Sequence, residues 1–124
     1  MARILGYDDA ALAPIDFALA PSKACEKLLK KLGMTTKDID YHEINEAFAA
    51  VALANIKLLD LDYTKVNVFG GAVALGHPLG CSGARIVVTL IHALKEVSGK
   101  YGAAGICNGG GGASAVVIEN CQLD

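Results

Sequence analysis

Apolar residues recur along the chain with two different periods, which predict alternating strands and helices. Residues 2–7 alternate as in a β-strand, residues 40–44 are read as a short strand, and the apolar run at 66–69 predicts another. Residues 102–107 and 113–118 are apolar runs on either side of a glycine-rich segment. That pattern is typical of two adjacent buried strands joined by a turn.

Three helices are predicted between these strands. The first has an apolar stripe at helical spacing, with Ser22 as its N-cap and Gly33 at its C-terminal end. The second, residues 46–59, is apolar on almost every side, as in a helix buried within a larger body. The third begins at Ser82, runs to about residue 97 and has one apolar face.

The order of these elements predicts a layered α/β domain. Its sheet should be mixed, because the last two strands are joined by a short turn and must be antiparallel. The 124 residues are predicted to form a single domain, 1–124, which is long enough to bury a hydrophobic core. Aromatic residues make up only 6% of it and tryptophan is absent, so that core should be aliphatic and rich in alanine.

Charge and cysteine content exclude several classes of function. The net charge is −2 and the 11 Lys and Arg residues are scattered, which indicates no surface for nucleic acid or for an anionic membrane. No apolar run is long enough for a membrane helix, and the first residues read as a strand rather than a secretory signal. The cysteines lack CxxC spacing, so we expect neither a metal site nor a disulfide framework. We expect the protein to work in a reducing compartment. The cysteines are Cys25, Cys81, Cys107 and Cys121.

Nine of the fourteen glycines lie in two segments, 70–83 and 109–112, and clustered glycines indicate unusual backbone geometry. The first segment, GGAVALGHPLGCSG, has neither the lysine of a Walker A loop nor the GxGxxG spacing of a dinucleotide loop. The alternative is a rigid loop that holds His77 as a general base or hydrogen-bond donor. His42 and His92 read as ordinary, partly exposed residues.

Two further residues are chemical candidates, and each has a structural alternative. Cys107 ends an apolar strand and faces the turn NGGGG, whose N–H groups suit an anionic oxygen. It is either a proton-exchanging thiol or a buried, inert core residue. Asn45 stands at a strand-to-helix corner, where it is either a helix N-cap or a hydrogen-bond donor in a site.

The segments NEAFA (45–49), GHPLGCSG (76–83) and CNGGGG (107–112) follow one another about thirty residues apart. In this order they resemble the C-terminal signature set of the thiolases, and the resemblance runs over essentially the whole chain. Within that family the chain looks most like the acetyl-CoA acetyltransferases. The resemblance implies a thiolase-like layered domain with helices on both faces of a mixed sheet, the C-terminal half of a two-domain fold.

The resemblance also implies roles for particular residues. His77 would activate the nucleophilic cysteine and help bind a thioester oxygen, and Asn45 would hold a water in the same oxyanion hole. Cys107 would be the acid/base cysteine that deprotonates the acetyl-CoA methyl group. The N–H of Gly109 would be a donor of the second oxyanion hole. Two further positions would line the acyl-CoA pocket, namely Ala47 and Phe48.

The family reaction condenses two acetyl-CoA into acetoacetyl-CoA and free CoA, or runs in reverse as thiolysis. The resemblance therefore implies coenzyme A thioesters as substrates, no other cofactor, and a homo-oligomer active in lipid metabolism, including the mevalonate pathway. The compartment implied is the cytoplasm, with the mitochondrion as the alternative. Phe69 stands where many members carry Asn, and we expect no loss of chemistry from that change alone.

One part of the family's machinery has no match here. The acylated nucleophile of the family is a cysteine of the N-terminal domain, and no cysteine of this chain lies in a matching motif. We therefore expect the 124-residue chain to be inactive without an N-terminal thiolase domain. A non-catalytic binding or assembly module of the same fold is the alternative. A ketoacyl synthase fits worse, because those enzymes lack the NEAFA and CNGGGG pair.

Overall fold

The structure is a computed structural model that describes residues 1–122. Its four strands form one sheet in the order β1-β4-β3-β2. Strand β4 pairs antiparallel with both β1 and β3, while β2 pairs parallel with β3, so the predicted mixed sheet is confirmed. The strands are β1 (Ala2–Ala11), β2 (Tyr41–Ile44), β3 (Tyr101–Cys107) and β4 (Gly112–Asn120).

Helices cover both faces of this sheet, as expected. They are α1 (Ala20–Leu32), α2 (Ala49–Leu58), the one-turn α3 (Ala72–Leu75) and α4 (Ser82–Glu96). Successive residues of a strand point to opposite faces. On β3, Ala103 packs in the cluster that contains α1, and Ala104 packs in the cluster that contains α4. Both faces are therefore buried, which explains why β3 is a continuous run of small and apolar residues.

The ends of α1 show which capping signals operate. Gly33 adopts a left-handed φ of 67° and ends the helix as predicted. The predicted N-cap is wrong, because α1 begins two residues before Ser22, and Pro21 occupies the first turn, where proline is tolerated. The Ser22 hydroxyl instead donates to the carbonyl of Leu19 at 2.7 Å. Cys25 lies in the core, 4% exposed, as its place on the apolar stripe suggests.

The segment 66–69 is not the strand that its apolar pattern predicts. Val66 makes only an isolated bridge to His42, and Asn67 then turns the chain with a φ of 50°. Asn67 uses its side chain rather than a strand ladder to reach β2, with two hydrogen bonds of 2.9 Å to the backbone of Ile44. The side-chain hydrogen bonds of Asn67 thus take the place of the backbone pairing that a strand would make with β2.

Helix α2 is shorter and more exposed than its sequence suggests. It begins at Ala49 rather than at residue 46, because the chain is still extended at Phe48. Its buried residues include Asn55, whose amide bonds the backbone of Ala18 and accepts from Ser22. Leu53, however, is 67% exposed. The chain therefore presents an apolar α2 face, of the kind that packs against another surface.

Among residues 1–122, no helix is both long enough and apolar enough to cross a membrane.

Candidate active site

The three motif segments meet at one edge of the sheet. Asn45 directly follows β2 and Cys107 ends β3, and the carboxyl ends of these parallel strands lie side by side. The loop before α4 brings His77 to the same edge, where a cleft of about 700 Å³ opens. Its lining is Phe17, Ala47, Phe48, His77, Leu79, Gly83, Ile106, Cys107, Asn108, Gly109 and Ser114.

His77 is held by a short chain of hydrogen bonds. Gly76 precedes it with a φ of 96°, a conformation that L side chains rarely adopt. The Ser82 hydroxyl donates to the Pro78 carbonyl at 3.1 Å, so Nδ1–H of His77 donates to the Ser82 oxygen at 2.6 Å. The bare Nε2 then lies 3.5 Å from the amide Nδ2 of Asn45. The ring is thus oriented with a lone pair toward Asn45 at the edge of the cleft.

Ser82 is the partner that sequence reasoning missed. It was expected to cap α4, but Cys81 occupies that position and makes no side-chain cap. Ser82 is fully buried and bonds His77 instead. Its spacing of five residues after the histidine, across a proline turn, was the available signal.

Asn45 is completely buried and is not a helix N-cap, so that alternative is wrong. Its N–H donates to the Gly105 carbonyl at 2.9 Å, and its own carbonyl accepts from Ala47 N–H at 3.0 Å. Within residues 1–122 its Oδ1 is buried without a partner, while Nδ2 faces His77. A buried amide with spare hydrogen-bonding capacity is suited to hold a water or a substrate oxygen.

Cys107 is 8% exposed and reaches the cleft from the end of β3. Burial raises the pKa of its thiol above the ordinary value, an effect that a backbone hydrogen bond only partly opposes. Cys107 is therefore a protonated thiol near neutral pH, which suits it to donate a proton.

The turn after Cys107 leaves one backbone donor free. The Asn108 side-chain oxygen accepts from the N–H groups of Gly110 and Gly112, at 3.1 and 3.2 Å, and so folds the turn. The Gly111 N–H donates to the Asn108 carbonyl. Over residues 1–122, we find no internal acceptor for the N–H of Gly109, which lines the cleft. This free N–H is suited to stabilise a negatively charged oxygen.

The apolar wall of the cleft is formed by Ala47, Phe48 and a residue not foreseen, Phe17. The rings of Phe17 and Phe48 meet edge to face at 6.3 Å, and Phe48 is 64% exposed. Phe17 lies in the 3₁₀ turn Pro14–Leu19, a segment read only as a proline-containing loop. An apolar wall beside polar groups is the usual composition of a small-molecule site.

An ion pair is buried outside the cleft. Glu43 is 1% exposed, and the half-buried Arg85 pairs with it at 3.4 Å. Burial raises the pKa of Glu43 to about 7, although Arg85 opposes the shift. Across the described residues 1–122, no cluster of histidine, cysteine and carboxylate side chains is arranged to hold a metal ion.

His42 is also buried, only 5% exposed, and not the partly exposed residue that was expected. Burial and, to a smaller extent, the charge of Lys65 lower its pKa from 6.5 to about 4. The folded state therefore keeps this imidazole neutral, so its contribution to stability is present above pH 6.5 and is lost as the pH falls toward 4.

Replacing His42 should make the protein more resistant to acid. For His42→Phe, we expect the loss of unfolding free energy between pH 6.5 and 4 to shrink by up to about 3 kcal/mol, in line with 1.36 kcal/mol per pKa unit. Urea unfolding at several pH values measures this change. His92→Phe, at an exposed position, is the control, and an equal effect in both variants would contradict the assignment to His42.

Comparison with known proteins agrees with this geometry. Residues 1–120 match the thiolase C-terminal domain family. The chain is 61% identical over 122 residues to a cytosolic acetyl-CoA acetyltransferase of Gibberella zeae, and 62% identical over 119 residues to a mitochondrial one of Rattus norvegicus. The alignments cover 98% and 96% of this chain, but only 31% and 28% of those relatives.

A solved structure shows the same likeness in three dimensions. The Acat5 thiolase of Ascaris suum, in complex with coenzyme A, superimposes with a TM-score of 0.93 at 57% identity. The match covers 97% of this chain and 31% of that one. The chain therefore belongs to the thiolase family, in which it corresponds to the C-terminal domain.

Proposed function

We propose that this chain supplies the acid/base and oxyanion-binding groups of an acetyl-CoA acetyltransferase. The reaction joins two acetyl-CoA to give acetoacetyl-CoA and CoA, or runs in reverse as thiolysis. The observation that supports it is one apolar-walled cleft lined by His77, Cys107 and Gly109, with the buried Asn45 amide 3.5 Å from the His77 ring. Likeness to acetyl-CoA acetyltransferases over nearly the whole chain supports it independently.

The first half of the proposed mechanism uses His77 and Asn45. The bare Nε2 of His77 accepts the proton of an attacking thiol, and the thiolate forms the bond to the carbonyl carbon. The resulting imidazolium then donates Nε2–H to the carbonyl oxygen, which gains negative charge. The Asn45 amide, 3.5 Å from Nε2, stabilises the same oxygen directly or through a water.

The second half uses Cys107 and Gly109. In thiolysis, the bond between the α-carbon and the β-carbonyl carbon breaks and leaves an acetyl-CoA enolate. The Cys107 thiol protonates its carbon, while the Gly109 N–H stabilises its oxygen. The Cys107 thiolate then takes the proton of incoming CoA, whose sulfur attacks the acyl group and releases the enzyme's thiol. Condensation runs through the same steps backwards.

The groups that this chain does not supply would come from the rest of a longer protein. The relatives are about three times as long as the chain, which leaves room for a domain that carries the nucleophilic thiol. The cleft lining includes the exposed apolar side chains of Phe48 and Leu79, and Leu53 on α2 is also exposed. We propose that this apolar surface packs against that domain, within a homo-oligomer of the cytosol or of the mitochondrion.

A hybrid enzyme tests the proposal. The 119 aligned residues of this chain would replace the matching segment of the Rattus norvegicus mitochondrial acetyltransferase, whose activity is the reference. We expect acetoacetyl-CoA thiolysis within about tenfold of that reference, a loss of less than about 1.4 kcal/mol in transition-state stabilisation. The same hybrid with His77→Ala is the control and should be nearly inactive.

A hybrid that folds and assembles but does not turn over acetoacetyl-CoA would contradict the proposal. Titration of the 124-residue chain with CoA then distinguishes the alternatives, because retained binding without turnover would indicate a non-catalytic module.

A further inference from the structure

The carboxylate of Glu46 connects the segment that carries Asn45 to the loop that carries His77. Its Oε2 accepts the N–H of Val73 at 3.0 Å, and its Oε1 accepts from the Asn67 amide at 3.4 Å. Val73 belongs to the one-turn helix α3, which ends immediately before Gly76 and His77. A single side chain thus spans the two segments whose polar groups meet at 3.5 Å.

Asn67 holds the other side of the same segment. Its amide oxygen accepts the N–H of Ile44 and its amide NH₂ donates to the carbonyl of Ile44, both at 2.9 Å. Its own N–H donates to the His42 carbonyl at 2.9 Å. The peptide that joins Ile44 to Asn45 is therefore fixed by Asn67 on one side and, through Asn45 N–H, by Gly105 on the other.

Gly71 gives an independent reason to regard this contact as specific. Its φ of −104° is open to any residue, so backbone freedom does not require glycine there. A Cβ at this position would overlap the Cδ and Oε2 atoms of Glu46, and its three nearest neighbours all belong to that side chain. The glycine therefore makes room for the Glu46 carboxylate to lie against the loop backbone.

We propose that Glu46 is a positioning residue that sets the distance between the Asn45 amide and the His77 ring. Its carboxylate packs against Gly71 and accepts a hydrogen bond from Asn67. The inference rests on the proposed function, in which the Asn45 amide and the His77 ring share one oxyanion. The carboxylate touches no reacting atom. It acts through α3, whose displacement would carry His77 away from Asn45.

The test uses the hybrid enzyme with four variants. Gly71→Ala should lower kcat by about tenfold, with KM within about threefold, because its methyl group displaces the end of the flexible Glu46 side chain from the loop. Glu46→Ala should lower kcat by about tenfold, and Glu46→Gln by less than about threefold, because the amide oxygen can still accept the Val73 N–H. Gly80→Ala, in the same loop with nothing within 4 Å of its Cβ, is the matched control and should leave kcat unchanged.

The double variant Gly71→Ala/Glu46→Ala separates positioning from a general disturbance of the loop. Removing the Glu46 side chain removes the atoms that the new methyl group would meet. The double variant should therefore be no slower than Glu46→Ala alone, a strong departure from additivity. Losses that multiply in the double variant, or a Gly71→Ala as active as Gly80→Ala, would overturn the proposal.

A second measurement keeps this result separate from the proposed function. In the 124-residue chain, ¹⁵N chemical shifts of the His77 ring report its hydrogen bonds through Nδ1 and Nε2. We expect these shifts to change in Gly71→Ala, to return to the Glu46→Ala values in the double variant, and to stay unchanged in Gly80→Ala. If the hybrid is inactive but the shifts follow this pattern, the proposed function fails and the positioning contact stands. Ring shifts unchanged in Gly71→Ala and Glu46→Ala would overturn the contact itself.

Discussion

Replacing Cys107 with alanine in the hybrid enzyme is expected to lower kcat for thiolysis by about a thousandfold or more. A positioned proton donor contributes about 10²–10⁴ to a rate, and Cys107 is the only thiol that lines the cleft within residues 1–122. Alanine removes one sulfur atom at the end of β3 and keeps the strand. The loss should therefore be in kcat, with an unchanged unfolding curve as the structural check.

The pH dependence gives this expectation a second readout. Burial raises the pKa of the Cys107 thiol, so the protonated form persists to a pH above the ordinary thiol range. The rate of enolate protonation in single-turnover thiolysis should therefore stay flat through neutral pH and fall only in more alkaline solution. In Cys107→Ser that alkaline limb should be absent, because a serine hydroxyl does not ionise in this range.

Cys25→Ala is the matched control for thiol removal. Cys25 lies in the core and away from the cleft, and burial raises the pKa of its thiol to about 12. Its replacement should reduce stability without changing the kcat of the folded enzyme. A Cys107→Ala hybrid that keeps more than about a tenth of the parent rate would remove Cys107 from the proton transfer, since that loss is below the usual range for such a group.

The hydrophobic pattern predicted the strands of the sheet, but it also predicted one strand that does not form. The runs around 102–107 and 113–118 predict an antiparallel pair, and β3 and β4 form it, because burial on both faces leaves a strong local signal. The run at 66–69 looks equally apolar and is not a strand. The hydrogen bonds of Asn67 decide that segment, and they depend on where Ile44 lies in three dimensions.

The candidate site was predicted from motifs rather than from periodicity. His77, Asn45 and Cys107 were each ambiguous alone, and only their ordered occurrence indicated a common site. The structure brings these side chains together, but it also adds Ser82 and Glu46, which orient them. The sequence interpretation missed those two residues, because Ser82 looks like a helix cap and Glu46 like the first turn of a helix.

Burial of polar residues was the other feature that the sequence did not reveal. His42 and Glu43 are neighbours on β2, and one faces each side of the sheet. Of the two, His42 was expected to be partly exposed. Both are buried: α4 packs against β2 and its Arg85 pairs with Glu43, while Leu61 and Lys65 line the same pocket as His42.

The turn that carries Gly109 is expected to depend on its neighbour Gly111. Gly111 has a φ of 92°, and a Cβ there would overlap the carbonyl oxygen of Leu12 and lie 3.2 Å from backbone atoms of Ala13 and Pro14. Its carbonyl also accepts the Leu12 N–H at 2.9 Å, which ties the turn to the end of β1. The atoms that the Cβ would meet all belong to the backbone, so no side-chain rotation can relieve the overlap.

We therefore expect Gly111→Ala to lower the free energy of unfolding by about 4 kcal/mol. The left-handed conformation costs alanine about 1–2 kcal/mol, and the backbone overlap adds about 1–3 kcal/mol. Denaturant midpoints at constant slope measure the change, which is a large share of a typical domain's stability of about 5–15 kcal/mol. Gly110→Ala is the matched control, since its Cβ would meet only the Asn108 side-chain oxygen, at an ordinary 3.5 Å. Because the two glycines are adjacent in one turn, a Gly111→Ala loss as small as that of Gly110→Ala would show that the fold tolerates a side chain against Leu12, and that this turn is not fixed to β1.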